Sequence, residues 1–340
     1  MKKAATVRVG PLANLPEIVT SLGHDPVPIF TQSGFSLSQF REPDNKIPFV
    51  AASKLLANCV RQTGAEHLGL LLGAASTPSH LGVVGYLLRV APDVKTALNA
   101  LVEFLDLHDE GGVPTLESKG KITYFGYAVH EPDTEAIEQI YDLSIVMLIK
   151  IMQGLCGEKW HPTEIFLMRQ QPVDVSLYKK LFCMRVNYNA ETTRIAFPSY
   201  WLEESISLAD SLLYAHLKQE AEEMRAMQDL SLTIELRQLL RQCLMEDNCT
   251  ITNIAGQLGI HERTLNRRLK DEGTTFRQEL EQVRYTISQQ LLSATRASLD
   301  EISLSLGYAD STAFSHAFKR WSGMPPAKWR NENDSKIQTH

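Results

Sequence analysis

A chain of 340 residues, 44% apolar and 22% charged, has the composition of an ordinary globular protein and the length of two or three domains. Its net charge of −6 excludes a polycation, so contact with nucleic acid or an anionic membrane must come from a local patch. The five cysteines (Cys59, Cys156, Cys183, Cys243, Cys249) include no CxxC pair, which argues against structural zinc or a disulfide framework. No apolar run follows Lys2, Lys3 and Arg8. The greasiest stretch, 143–155, is too short for a membrane span and holds Lys150. A soluble, cytoplasmic protein is expected.

In chain order, Leu12, Leu15, Ile18, Val19 and Leu22 predict an amphipathic helix ended by Gly23, and 49–60 another ended by Gly64. A third runs over 93–107, with Val94, Ala97, Leu98, Leu101, Phe104 and Leu105 on its buried side. The run Asp106-Leu107-His108-Asp109-Glu110 that follows has metal-ligand types in poor order and reads as a solvated helix end. No metal is expected there. Residues 121–130 predict a strand apolar on both faces, which must be covered on both. Then come a helix over 134–155, a strand over 163–168, a short helix over 175–182, and strands near 184–188 and 194–197. This is an α+β domain, helices packed on a mixed sheet. There is no HExxH, no GxSxG turn and no glycine-rich phosphate loop after a strand, so neither catalytic residues nor a cofactor are expected. Tyr124, Tyr127 and His130 on the central strand, with His108, could edge a small-molecule pocket; buried tyrosines also serve as hydrogen-bonded core residues.

A helix over 207–227 carries Leu208, Leu212, Leu213, His216, Leu217, Met224 and Met227. Its stripe is either an isologous dimer contact or packing on the preceding domain, and three heptads do not decide. Asp229, Leu230 and Ser231 mark the junction to a helix over 233–245. The charge changes there too: residues 1–230 hold 20 basic against 27 acidic residues, 231–340 hold 14 against 13, and 263–330 hold 11 against 7.

The carboxy-terminal part repeats at an offset of about 48 residues. Ile254, Leu258-Gly259-Ile260, Leu265, Leu269-Lys270 and Gly273 align with Ile302, Leu306-Gly307-Tyr308, Phe314, Phe318-Lys319 and Gly323. Each copy has the grammar of a helix-turn-helix: a capped first helix, a glycine turn, then a second helix opening at His261 or Asp310. On the second helices Leu265 and Leu269, or Phe314 and Phe318, recur at i and i+4 and form the buried stripe. Arg263, Thr264, Asn266, Arg267 and Arg268 point outward in the first copy, and Ser311, Thr312, Ser315 and His316 in the second. Such side chains read base edges, although any one polar face could be simple solvation. Between the copies, 275–292 predicts a long helix that joins them rigidly.

Residues 233–330 resemble the tandem helix-turn-helix domain of the AraC/XylS transcriptional regulators. The resemblance rests on Ile302, Leu306-Gly307-Tyr308, Phe314, Phe318-Lys319, Gly323, Pro325 and Trp329-Arg330. It implies base readers at Arg263, Asn266, Arg267, Ser311, Thr312, Ser315 and His316, and phosphate contacts at Arg268, Lys270, Lys319 and Arg320. Gly256 falls inside the first copy's leading helix, at a cost of about 1 kcal/mol relative to alanine. Residues 20–205, through Ile47-Pro48, Leu81-Gly82-Val83-Val84-Gly85-Tyr86 and Ala196-Phe197-Pro198-x-x-Trp201-Leu202, resemble the arabinose-binding-type domain of the branch typified by the ornithine-utilisation regulator.

The expected organisation is a sensor domain over 1–205, a helical linker over 206–232, an all-α DNA-binding domain over 233–332 with helix-turn-helix motifs at 250–270 and 298–320, and a tail over 333–340. The implied function is sequence-specific transcription regulation, with a double-stranded DNA operator, RNA polymerase, a small-molecule effector and a second copy of the chain as partners. Two alternatives stay open. One is an enzyme fused to the DNA-binding module, though no cysteine stands in the Pro-Cys-His context of an alkyl-transfer nucleophile. The other is a module that answers to a protein partner.

Overall fold

The computed structural model describes residues 4–227, 232–245, 249–295 and 297–337. Lys2 and Lys3, the expected junction Asp229, Leu230 and Ser231, the tail residues 338–340 and the side chain of Met227 lie outside that description. The chain divides into two compact units, one of residues 4–167 and 171–229 and the other chiefly of residues 230–340, with which 168–170 group.

The first unit opens with β1 (Thr6–Arg8), α1 (Leu15–Ser21) and α2 (Pro26–Gln32). Strand β2 (Lys46–Pro48) pairs antiparallel with β1, Val7 opposite Ile47. Helix α3 (Phe49–Thr63) ends at Gly64, and α4 (Leu68–Ala75), α5 (Val83–Val90) and α6 (Val94–Phe104) follow. Asp93 starts α6 by accepting from the Thr96 amide at 2.7 Å, a cap that satisfies one of the helix's orphan donors. The helix expected to reach residue 107 stops at Phe104, and a 3₁₀ turn over Leu105–Leu107 redirects the chain.

Strands β3 (Gly112–Lys119) and β4 (Ile122–Val129) form a hairpin. Helix α7 (Ile137–Cys156), β5 (Glu164–Phe166), α8 (Ser176–Phe182), β6 (Val186–Asn187), β7 (Arg194–Pro198) and α9 (Ser211–Met227) complete the unit. The five strands order as β3-β4-β7-β5-β6, antiparallel except for β5 with β6. The sheet is mixed, as expected, and β4 is buried along both faces from Phe125 to Val129.

Helix α7 has the length and apolarity of a membrane-crossing helix, but its apolar surface is spent inside the domain. Helix α4 lies so close that a Cβ on Gly69 would stand 2.1 Å from the Gln139 carbonyl oxygen, and the Gln139 side chain accepts from the Gly69 amide at 2.9 Å. On another side the Tyr178 hydroxyl donates to Asp142 at 2.5 Å, both residues being buried.

The second unit is helical: α10 (Leu232–Met245), α11 (Ile251–Gln257), α12 (Glu262–Asp271), α13 (Phe276–Ala294), α14 (Leu299–Ser305), α15 (Ser311–Ser322) and α16 (Pro326–Ile337). Helix α16 continues into the stretch expected as tail. Gly256 stands in the last turn of α11, its Cβ position open, so the cost expected for a glycine in mid-helix does not fully apply.

One apolar core gathers Leu236, Leu240, Ile254, Leu265, Leu269 and Val283 from α10 to α13. The other is aromatic: Phe314 and Phe318 of α15 lie 5.8 Å apart, and Phe318 also meets Tyr285 of α13 at 5.6 Å and Trp329 of α16 at 5.8 Å. Helix α13 thus contributes to both.

Candidate nucleic-acid interface and interior cavity

Each recognition helix is set by a glycine with a left-handed backbone, Gly259 (φ 63°) or Gly307 (φ 70°), a conformation that side-chain-bearing residues rarely adopt. The helix after it is capped: His261 Nδ1 accepts from the Arg263 amide at 3.3 Å, and Asp310 from the Ala313 amide at 2.7 Å. Ser298 and Glu301 form a reciprocal capping box at the start of α14.

These constraints rotate the helices as the periodicity predicts. On α12, Leu265 and Leu269 are buried while Arg263, Asn266, Arg267, Arg268 and Lys270 are exposed, with Thr264 half-buried. On α15, Phe314, Ala317 and Phe318 are buried. Thr312, His316, Lys319 and Arg320 are exposed, and Ser311 and Ser315 half-buried. Arg320 differs from its neighbours because Glu281 of α13 holds its guanidinium at 3.1 Å. Glu281 also binds Arg277 at 3.1 Å and accepts from the Trp321 indole at 3.3 Å. Patterning alone could not place that carboxylate beside Arg320.

Two polar layers lock the scaffold beneath the helices. Glu272, at the end of α12, accepts from the Leu232 and Thr233 amides at 2.9 and 3.1 Å and so caps α10. Arg237 of α10 donates to Glu279 of α13 at 2.7 Å, and Arg241 to Gln290 at 2.9 Å. Since Arg267 touches none of the buried stripe, Arg267→Ala is expected to weaken specific DNA binding by about 1–3 kcal/mol without changing the melting temperature. A gel-shift titration at wild-type affinity would remove it from the readers.

The first unit holds a partly open cavity of about 100 Å³. Its wall is apolar, from Leu12, Leu56, Leu101, Ile140, Met147 and Leu148, and its polar end carries Arg8, His108, Asp109 and Tyr127. Of the residues expected to edge a pocket, the structure brings His108 and Tyr127 together here. Tyr124 instead stacks under Arg194, the guanidinium 4.2 Å from its ring, and His130 is buried elsewhere. Arg8, Asp109, Ser53 and Ser144 were not anticipated in the lining.

The run Asp106–Glu110 is buried and not a solvated helix end: Asp106, His108, Asp109 and Glu110 are all at most 6% exposed. No group of three potential metal ligands occurs among the described residues. Each carboxylate has its own partner. Asp106 accepts from Arg225 of α9 at 2.9 Å, Glu110 from the Thr6 amide at 2.9 Å, and Asp109 from the Gly111 amide at 2.8 Å and from the Tyr127 hydroxyl. Tyr127 can reach because residue 112 is glycine; a Cβ there would stand 2.0 Å from the phenol oxygen.

Burial pushes the His108 imidazole down from 6.5 to about 3, helped by Arg8, Lys46 and His80. Burial pushes the Asp109 carboxyl up from 3.8 to about 6, against the hydrogen bonds from Tyr127 and the Gly111 and Gly112 backbone. The signs of their linkage oppose. For His108 the unfolded chain binds the extra proton, so its contribution is lost as pH falls from 6.5 toward 3. For Asp109 the folded chain binds it, so its contribution is lost as pH rises from 3.8 through 6. Asp109→Asn removes the second effect and should make the fall in melting temperature between pH 6 and 4 steeper than in wild type; a shallower fall in scanning calorimetry would contradict this.

A paired helix-turn-helix unit that follows, in the chain, an α+β unit with an apolar cavity has the organisation of a DNA-binding regulator. Residues 23–206 match the arabinose-binding domain of AraC transcription regulators and 236–332 a helix-turn-helix domain. The chain therefore belongs to the AraC family of transcription regulators. It is 25% identical over 299 residues to the ornithine utilization regulator of Pseudomonas aeruginosa, covering 85% of each chain. Over 308 residues it is 25% identical to the regulator VqsM of the same species, covering 86% of this chain and 94% of that one. The regulator VirS of Mycobacterium tuberculosis is 23% identical over 332 residues, 97% of this chain and 98% of its own. A solved structure of the regulator CdpR from Pseudomonas aeruginosa aligns with a TM-score of 0.43 at 22% identity, over 89% of this chain and 96% of that one.

Proposed function

We propose that this regulator reads its operator through Arg263, Asn266 and Arg267 of α12 and Ser311, Thr312, Ser315 and His316 of α15. Arg268, Lys270, Lys319 and Arg320 take the phosphates, and a small-molecule effector in the first unit sets the outcome. RNA polymerase is the partner it acts on, in the cytoplasm, and the exposed Leu208 and Leu212 beside the packed face of α9 offer a surface to a second copy. The domains follow the two units, with α9 as the linker helix.

One observation carries the sensing role. The segment 105–109 lines the cavity with Leu105, His108 and Asp109 and holds α9 through Asp106 and Arg225. A ligand that displaces this segment must act on the helix that leads toward the DNA-binding unit, and it shifts the balance between two arrangements by its differential affinity for them.

The DNA half is tested by titrating the full chain against duplexes that it selects from a random pool. Lys319→Ala should weaken binding to selected and random duplexes alike and lower the salt slope by about one. Thr312→Ala and His316→Ala should relax preference at one half of the site. Footprints should cover two neighbouring major grooves on one DNA face, as tandem recognition helices require; salt-independent binding or a single protected groove would overturn the proposal.

A further inference from the structure

The cavity beside segment 105–109 specifies its occupant by size, polarity and charge. An apolar protein cavity of about 150 Å³ holds benzene; this one is smaller, about 100 Å³, but opens partly toward the surface, so it admits a molecule of at most single-ring size and no long acyl chain or nucleotide. The aliphatic wall offers nothing to the several hydroxyls of a sugar, whose burial without partners is unfavourable.

The polar end asks for one hydrogen-bonding group. His108 is 5% exposed, and its buried Nδ1 has no hydrogen-bond partner among the described residues. Beside it lies the Asp109 carboxylate, whose oxygens already accept from Gly111 and Tyr127 but retain lone pairs. A hydroxyl can donate to one of these groups and accept from the other.

Charge decides the rest. Arg8 is paired with Asp44, and Lys46 stands 3.7 Å from Glu110. These pairs leave Asp109 without a counter-charge at the end of the cavity among the described residues, its carboxylate held by the Gly111 amide and the Tyr127 hydroxyl; an anionic ligand would add a second buried negative charge beside it, and an ammonium would have to shed its water for the one acceptor not already engaged. A surface depression of about 560 Å³ bounded by Arg8, Asp44, Leu81 and, from α9, Glu220 and Met224 adjoins the cavity, sharing Arg8 and Leu81 with its lining. It gives the ligand a route in.

We infer that the cavity binds an uncharged, compact apolar molecule bearing a single hydroxyl, a small phenol or branched alcohol, with its hydroxyl between His108 and Asp109. This rests on the effector-sensing role proposed above.

The test is calorimetric titration of the full chain with phenol, toluene, benzoate and benzylamine, which share a ring and differ at the head group. Phenol should bind at least tenfold tighter than the other three. His108→Phe should abolish the preference of phenol over toluene. Ala52→Leu, which extends a lining side chain into the void, should abolish phenol binding; Ser144→Leu serves if that variant does not fold, judged by circular dichroism. No phenol binding by wild type, equal binding of toluene, preference for benzoate or benzylamine, or undiminished phenol binding by a folded filled variant would each overturn the inference. Operator titrations separate the two readings. Phenol binding without any change in DNA affinity leaves the ligand class standing and removes the sensing role. A DNA response to a charged molecule that competes for the cavity does the reverse.

Discussion

Leu265→Ala is expected to lower the stability of the carboxy-terminal unit by about 2–5 kcal/mol. Leu265 is fully buried, and its neighbours Leu236, Leu240 and Ile254 come from two other helices. Those helices are tied elsewhere, α10 to α13 by the Arg237–Glu279 and Arg241–Gln290 bonds, so the void cannot close by a small local shift. A poorly collapsing site falls toward the upper end of the range. Thermal or urea unfolding followed in the carboxy-terminal unit measures the loss. Arg267→Ala, two residues along the same helix, serves as the control that loses DNA affinity and keeps its melting temperature. If Leu265→Ala leaves the melting temperature unchanged, the two faces of α12 have been assigned the wrong way round.

Arg237→Ala should be as damaging for a different reason. It takes a positive partner from Glu279, whose side chain is 3% exposed, and removing one member of a buried ion pair costs about 3–5 kcal/mol. The Thr274 hydroxyl, 2.6 Å from the other oxygen, does not replace a charge. Replacing both members without charge, Arg237→Met with Glu279→Gln, should recover most of the loss, because an uncharged pair of similar volume has little to desolvate. Urea unfolding of the two variants checks this; a double variant as unstable as the single one would show that Arg237 contributes packing and not charge compensation.

The carboxy-terminal site was legible because its determinants are local. A glycine at the turn, a cap two or three residues on and an i, i+4 apolar pair lie within a dozen residues, and together they orient α12 and α15. Thr275 and Gln278 show why detail still slips: their spacing is that of a capping box, and the Thr275 hydroxyl accepts from the Gln278 amide at 3.2 Å, but the glutamine side chain meets that hydroxyl and not the Thr275 amide.

The amino-terminal unit was legible in its longer elements and obscure in its site. Helix α4 is buried on nearly every side and so shows no period, while α2 starts on Pro26 behind the capping Asp25, a pattern that reads as turn. Strand β3 begins with Gly112 and includes Pro114, both poor strand formers. The cavity draws its wall from residues 7 to 151. A polar run such as 106–110 can be read as internal only when its distant partners, Thr6 and Arg225 among them, are in place.

Helix α13 sets a phase as well as a separation. It is 19 residues long, about 28 Å at 1.5 Å per residue, and each residue turns the chain by about 100°. One residue added in its middle would therefore swing the second module to a different side of the DNA while moving it hardly at all along the axis. Seven added residues, close to two whole turns, would restore the direction and lengthen the spacing by about 10 Å, roughly three base pairs. The operator length that this regulator can read is written as an angle in the body of a single helix.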